Sequence, residues 1–464
     1  MQNRSKAVLS SIVNTGIENI GKQDVVWSYL ATIFLIGAGV ILLPFILHKM
    51  PVETVGIWNI FTVIIMLVNI LDFGFSPSFA RNVSYIFSGA KELQKEGVER
   101  VTDGKVDYGL LKGTLTAMRR FYRQISLACF VLLATAGTAY FAYILRKYTG
   151  DRTDAMVAWV LLIAINCYNL YTLYYDALLL GKGYIKRNQQ IIIVAQCSYL
   201  AIAIVLIYAG MGLSAIVSAQ LIATVVRRVL AYRTFFSAEM RESLKDAEER
   251  DPKAIFRVIY PNAVKVGLTQ LGAFAITKSS VLIGSVFLSL EAVASYGITL
   301  QVMDVLTRCA TVPYRSFIPK LAQARAENDT AELRRYYTIS AVSLLGTYIV
   351  CGMLWIGFGD WALTLIDSKT TFVPLGMLIA MLAIHYLEDN HAMSAGFIMA
   401  DNKIPFFIPS LVSGAATLVL LFVFLGPLKL GMWGLILAGG IAQAAYQNWK
   451  WPSVVIKELW IQSK

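Results

Sequence analysis

Apolar stretches of roughly 20 residues, the length an α-helix needs to cross a hydrocarbon core, alternate along this chain with shorter polar gaps. Twelve stretches can be read, at 25–47, 55–75, 125–145, 155–180, 191–208 and 213–232, then at 261–288, 292–312, 337–356, 372–400, 404–425 and 432–449. An even number of crossings returns the chain to the side on which it starts. The expected fold class is therefore an all-α integral membrane protein with 12 transmembrane helices.

The polar gaps sort by charge. With the N-terminus placed in the cytoplasm, about 33 of the 41 Lys and Arg fall on the inner side, about 6 outside and about 2 within the seventh stretch. The outer six are Lys49, Arg146, Lys147, Arg152, Lys369 and Lys429. This bias predicts a multi-pass protein of a bacterial cytoplasmic (inner) membrane with both termini cytoplasmic. In a soluble protein a net charge of +12 would raise nucleic acid as a partner. Here the excess faces an anionic leaflet, so membrane lipids are expected as partners and nucleic acid is not.

A hydrophobic content of 57% leaves no room for a separate soluble domain. The longest inner gap, 76–124, alternates in sign at Lys91, Glu92, Lys95, Glu96, Glu99 and Arg100, which suggests a solvated helix. Before the first crossing, Leu9, Ile12, Val13, Ile17 and Ile20 recur at helical spacing without an uninterrupted apolar core, which suits an interfacial helix rather than a cleavable signal. The expected organisation is an interfacial helix over 1–23, a six-helix bundle over 24–235, a cytoplasmic linker over 236–253, a second six-helix bundle over 254–450 and a tail over 451–464. Cys129, Cys167, Cys197, Cys309 and Cys351 lack metal-ligand spacing and read as small packing residues. No phosphate-binding glycine loop occurs, so neither ATP hydrolysis nor a bound metal is expected, and no cofactor.

The halves echo one another. Laid on the first half, the second brings Glu291, Val293, Tyr296, Ile298, Ser316 and Phe317 onto Glu53, Val55, Trp58, Ile60, Ser78 and Phe79. Six crossings per half give both the same orientation, a parallel repeat of the kind that encloses a substrate cavity.

The run Leu43-Pro44-Phe45, through Val55-Gly56-Ile57-Trp58 and Leu71-Asp72-Phe73-Gly74-Phe75 to Phe79-Ala80-Arg81, resembles the first hairpin of bacterial polysaccharide flippases. These form the O-antigen-unit branch of the multidrug/oligosaccharidyl-lipid/polysaccharide exporter superfamily. Asn402-Lys403-Ile404-Pro405-Phe406 and Trp449-Lys450-Trp451-Pro452 are similar to the same branch. The resemblance implies two pseudo-symmetric six-helix bundles forming a V around a central cavity, often cationic, with alternating access. It implies as substrate an undecaprenyl-diphosphate-linked oligosaccharide. Glycan polymerase or assembly proteins are candidate partners, and the chain is expected to act as a monomer.

Charge at the centre of a crossing costs roughly 2.5–3.5 kcal/mol, so each such residue is a functional candidate. Counted from a hairpin tip near Leu290, Lys278 and Asp304 come within about 3 Å of the same depth. Arg308 lies one turn further in on the face of Asp304, and Lys265 and Arg315 come level near the inner mouth. Cations at two depths suit a diphosphate headgroup; equally, Lys278 and Asp304 could be a bridge locking two helices, with Lys265 and Arg315 snorkelling. His385, Glu388, Asp389 and His391 in the tenth stretch could pair at i+4 and i+3 and relay a coupling H+ or Na+, or form a polar seam. Tyr168, Tyr171 and Tyr175 recur at i, i+3 and i+7, either to stack on sugars or as core packing. Asp72 and Asp176 near inner helix ends suggest structural pairs with Arg81 or Lys182.

These features predict a flippase rather than an enzyme. A cation-coupled multidrug exporter of the same superfamily is the alternative. A membrane-embedded glycan polymerase or ligase ranks below both, because the longest outer gap, 357–371, offers little more than Asp360, Asp367 and Lys369.

Overall fold

The computed structural model describes residues 22–93, 105–326, 329–399 and 405–461. The expected interfacial helix over 1–23 falls almost wholly outside them, as do Lys95, Glu96, Glu99, Arg100 and the Asn402-Lys403-Ile404 motif. Among the described residues every regular element is helical. The helices are α1 (Lys22–Lys49), α2 (Val52–Ile70), α3 (Phe75–Phe87), α4 (Tyr108–Leu132), α5 (Thr138–Leu145), α6 (Arg152–Tyr171), α7 (Tyr174–Gly181), α8 (Ile185–Tyr208), α9 (Leu213–Phe235) and α10 (Ala238–Asp246). The second half adds α11 (Pro252–Thr277), α12 (Ser279–Phe287), α13 (Leu290–Ala310), α14 (Val312–Ala326), α15 (Thr330–Leu365), α16 (Leu375–Met399), α17 (Phe407–Leu425), α18 (Met432–Ala444) and α19 (Gln447–Ile456).

Eight helices among the described residues are long and apolar enough to cross a membrane, and nine if the bent pair α11–α12 is one span. They account for all six expected crossings of the first half and three of the second. The other three fall at α13, α16 and α18, and the reason is chemical. Asp304 and Arg308 interrupt α13, the His385–His391 cluster interrupts α16, and α18 ends at Ala444 before turning into α19. Elsewhere the helices present apolar surface outward, as along α15, where Val342, Val350, Met353, Phe358 and Leu365 are exposed. In water such a strip would drive aggregation; a bilayer solvates it. This is a multi-pass membrane protein.

The inner gap 76–124 differs from expectation. Asp107 caps α4 by accepting from Leu110 N at 2.8 Å, and the helix then continues into the third crossing. Leu110, Leu111, Leu115, Met118 and Tyr122 recur at helical spacing and are buried against Phe79, Val83, Leu178 and Phe235. This part of the gap is thus a packed helix, whereas the charge run that suggested a solvated one lies almost wholly outside the described residues. The stretch after α9 is packed too. Ser237 caps α10, Met240 and Leu244 join the same core, and Lys112 Nζ donates to Ala247 O at 2.8 Å.

The contacts gather the chain into two compact units, one of residues 1–45, 65–142 and 151–267, the other of residues 46–64, 143–150 and 268–464. Within the second unit α2 and α13 meet closely. A Cβ added at Gly56 would lie 2.4 Å from Leu290 O, and one at Gly297 2.3 Å from the Asn59 side chain. Asn59 fills the contact, donating to Ala294 O and accepting from Gln301 Nε2 at 2.6 Å. Lys147 completes this unit by donating to Ser285 O, Val286 O and Leu288 O at 2.6–3.1 Å, where α12 leaves its last carbonyls unpaired. The echoing residues occupy corresponding places. Glu53 and Glu291 lie in the first turns of α2 and α13, and Ser78–Phe79 and Ser316–Phe317 in the short helices α3 and α14 that follow.

Candidate substrate and coupling site

Lys278 sits at the break between α11 and α12, where the helix axis bends by 43°. Thr277 and Ser279 bond back to Ala273 O and Ala275 O, a habit that competes with the helix ladder and favours a bend. From Lys278 to the end of α12 is about 15 Å of helix, half a hydrocarbon core. Its ammonium reaches across to α13 and donates to both oxygens of Asp304, at 2.8 and 2.7 Å. The side chains remain 17% and 36% exposed, so this pair is partly open rather than sealed.

Beside it, α11, α12, α13, α16 and α18 enclose a polar cavity of about 30 Å³, room for a water. Ser280, Tyr296, His385, Glu388 and Gln443 line it, and the charges of Lys278 and Asp304 reach His385 and Glu388. His385 Nδ1 lies 3.7 Å from Glu388 Oε2. The other two members of the cluster turn elsewhere. Asp389 accepts from Tyr348 OH at 2.6 Å, and that hydroxyl also lies 3.1 Å from Thr307 Oγ1, tying α16 to α15 and α13. His391 Nδ1 meets Asn448 Oδ1 at 2.9 Å. The pairings expected from spacing, His385 with Asp389 and Glu388 with His391, are thus replaced by one contact within α16 and two to neighbouring helices. Tyr348, Thr307, Gln443 and Asn448 were not singled out in the sequence; Gln443, Gln447 and Asn448, three amides close together in an apolar run, were the available signal.

The remaining candidates are not gathered here. Arg308 and Arg315 are exposed on α13 and α14, and the side chain of Lys265 lies outside the described ones. The three tyrosines form no single stripe, because the chain breaks between α6 and α7. Tyr168 and Tyr171 stay on α6, with Tyr171 exposed, whereas Tyr175 packs on Tyr174, Tyr232 and Phe236. Cys197 and Cys309 are exposed, so packing does not account for all five cysteines.

Two expected ion pairs are corrected. Asp72 accepts from Tyr122 OH at 2.7 Å and from the Ser76 amide, not from Arg81. Asp176 pairs with Arg227 Nη2 at 3.0 Å and Arg228 Nη1 at 2.9 Å, and Arg228 also bonds Asn169. Lys182 lies instead over the rings of Phe87, Tyr184 and Phe235. Adjacent arginines on α9 can straddle one carboxylate, whereas proximity in sequence had favoured Lys182.

No protein-family model matches the sequence, and no curated protein does. Solved structures do match. An inward-facing multidrug resistance MATE family transporter of the MOP superfamily superposes with a TM-score of 0.61 at 16% identity, over 98% of this chain and 100% of that one. The chain shares the all-α fold of that transporter. The MATE multidrug transporter DinF-BH gives 0.62 at 16% identity over 96% of each chain. The lipid II flippase MurJ in an inward closed conformation gives 0.62 at 12% identity, over 94% of this chain and 87% of that one.

Proposed function

We propose that this chain is a flippase that carries an undecaprenyl-diphosphate-linked oligosaccharide from the inner to the outer leaflet of a bacterial cytoplasmic membrane by alternating access. The observation that carries this reading is the half-open Lys278–Asp304 pair at a mid-membrane helix break. A diphosphate oxygen can take the place of the Asp304 carboxylate on the Lys278 ammonium. Asp304 is then free to turn to Arg308, one helical turn away. The substrate replaces an internal partner rather than entering an empty cation site, so the unloaded state leaves Lys278 paired. Arg315 would guide the headgroup toward this point, and the sugars would follow through water while the lipid tail stays in the bilayer.

Coupling falls to His385 and Glu388, which share the small cavity beside Lys278. A proton or sodium ion arriving there changes the charge facing the Lys278–Asp304 pair and so biases its exchange with phosphate. One charge moving down 100 mV supplies about 2.3 kcal/mol.

A second reading, a cation-coupled multidrug exporter, is favoured by the acids Asp304, Glu388 and Asp389 in the same unit, which suit a cationic cargo. The two are separated in liposomes holding the purified chain, by measuring transfer of a fluorescent polyprenyl-diphosphate sugar and efflux of a cationic dye, each with and without a pH or sodium gradient. The flippase reading expects headgroup transfer that Lys278→Ala abolishes. Dye efflux without headgroup transfer overturns it.

A further inference from the structure

A second cationic feature lies in the first unit, apart from Lys278. Between α4 and the first turns of α11 is an open groove of about 370 Å³. Its walls are two facing stripes, Arg120 and Phe121 from α4 and Lys253, Phe256 and Arg257 from α11. Lys253 and Arg257 are four apart and project from one face. No carboxylate lines the groove. The three cations are exposed, and none forms an ion pair among the described residues. The aromatic floor is held in place: Phe121 and Phe256 lie 5.6 Å apart, and both pack on Phe75, at 3.9 and 5.5 Å.

The height of the groove says what can fill it. On α4 the charged positions Arg119, Arg120 and Arg123 give way at Ile125 to the apolar run of the third crossing, and on α11 Arg257 is followed by Val258, Ile259 and Tyr260. Cations and phenylalanines therefore sit side by side at headgroup level, on the side that the distribution of Lys and Arg assigns to the cytoplasm. The start of α11 adds the positive end of its dipole. A phosphate fits the cations and the first methylenes of an acyl chain fit the neighbouring rings.

We propose that this groove binds an anionic phospholipid of the cytoplasmic leaflet, its phosphate held by Arg120, Lys253 and Arg257 and the top of one acyl chain laid against Phe121 and Phe256. The proposal stands whether the cargo is a lipid-linked glycan or a drug. Its consequence is that a lipid adds to the Phe121–Phe256 contact that already joins α4 to the start of α11.

The test uses the purified full chain in detergent, titrated with phosphatidylglycerol and in parallel with phosphatidylethanolamine, with bound lipid counted by native mass spectrometry. Wild type is expected to retain phosphatidylglycerol preferentially, and Arg120→Gln, Lys253→Gln and Arg257→Gln together to weaken it about tenfold or more. Arg120→Lys with Arg257→Lys keeps the charge and is expected to keep the lipid, which separates loss of the site from loss of the fold. Arg241→Gln with Lys320→Gln removes exposed cations elsewhere. Equal loss in that pair means diffuse attraction and overturns the proposal, as does equal binding of the two lipids. Inorganic phosphate that displaces the lipid at millimolar concentration overturns the lipid assignment as well, because then the phenylalanines contribute nothing.

Discussion

The two units handle buried charge in opposite ways. In the first, Asp176 is clamped by Arg227 and Arg228; its side chain is 10% exposed and that of Arg228 1%, with Arg227 at the rim at 33%. In the second, Lys278 and Asp304 make an equally short contact but stay within reach of solvent. The ingredients are alike, acid and base across a helix break, and burial separates the roles. A sealed cluster has no partner to exchange with and acts as a lock on the α6–α7 break. A half-open pair can trade its carboxylate for an incoming anion. Distance alone would have assigned both to the same class.

The comparison breaks most readily at the sealed cluster. Removing the acid with Asp176→Ala leaves two guanidinium groups facing each other without a counter-charge, and uncovering a buried charge in this way costs about 3–5 kcal/mol. Folded yield and melting temperature in detergent should drop sharply. A variant that melts like wild type would show that the cluster is not a lock, and the contrast between the units would fall with it.

Lys278→Ala should behave the other way, with transport down tenfold or more while the melting temperature falls less than in Asp176→Ala, since the pair is partly exposed and Arg308 lies one turn from Asp304. The exchanged variant Lys278→Asp with Asp304→Lys sharpens the point. It rebuilds an ion pair, so melting should recover, but it moves the cation to α13, so headgroup transfer should not. Recovery of both would make the pair a bridge and nothing more.

How much of this was legible in the sequence follows from what each signal depends on. Crossings depend on long apolar runs, and all twelve expected stretches have helices in place. Lys278 and Asp304 were found because depth can be counted from a hairpin tip, which needs only the rise per residue. The partners of Asp176, Asp389 and His391 were not found. They depend on which way a uniformly apolar helix is rotated and on which helix lies alongside, and such segments carry no periodicity that fixes either. The break at Lys278 was hidden for the same reason, since no Pro or Gly marks it and the cause is back-bonding by Thr277 and Ser279. The packed start of α4 was not singled out, because attention in that gap fell on the charges at 91–100, and the stripe of Leu110, Leu111, Leu115 and Met118 beyond them was not weighed.

Tyr348→Phe tests whether the polar cluster of the second unit is one device or two. The substitution removes the hydroxyl that reaches Asp389 at 2.6 Å and Thr307 at 3.1 Å and leaves the His385–Glu388 contact untouched. A hydrogen bond lost from a buried carboxyl group costs about 1–3 kcal/mol. Stability should fall by that amount while the ion dependence of transport is retained. If ion dependence vanishes as well, Asp389 belongs to the coupling device and the assignment to His385 and Glu388 is too narrow.

The smallest effect is expected at Lys147, which lies outside the crossings and serves as the reference for a cation whose only task is structural. Its ammonium meets three carbonyls at the end of α12, where the helix dipole is negative, an arrangement worth about 0.3–1 kcal/mol. Burial opposes this gain and lowers its pKa from the ordinary lysine value. The folded protein therefore binds that proton less tightly than the unfolded chain does. The associated penalty is fully present at neutral pH and is relieved as pH rises through the lowered folded value toward the unfolded one. Lys147→Met should accordingly lower the melting temperature only slightly at neutral pH, and the margin by which wild type exceeds it should widen in alkaline buffer. A margin that narrows with rising pH would mean that the carbonyl bonds outweigh desolvation. Lys147 would then count as a strong clamp, and a structural cation could not be told from Lys278 by its exposure.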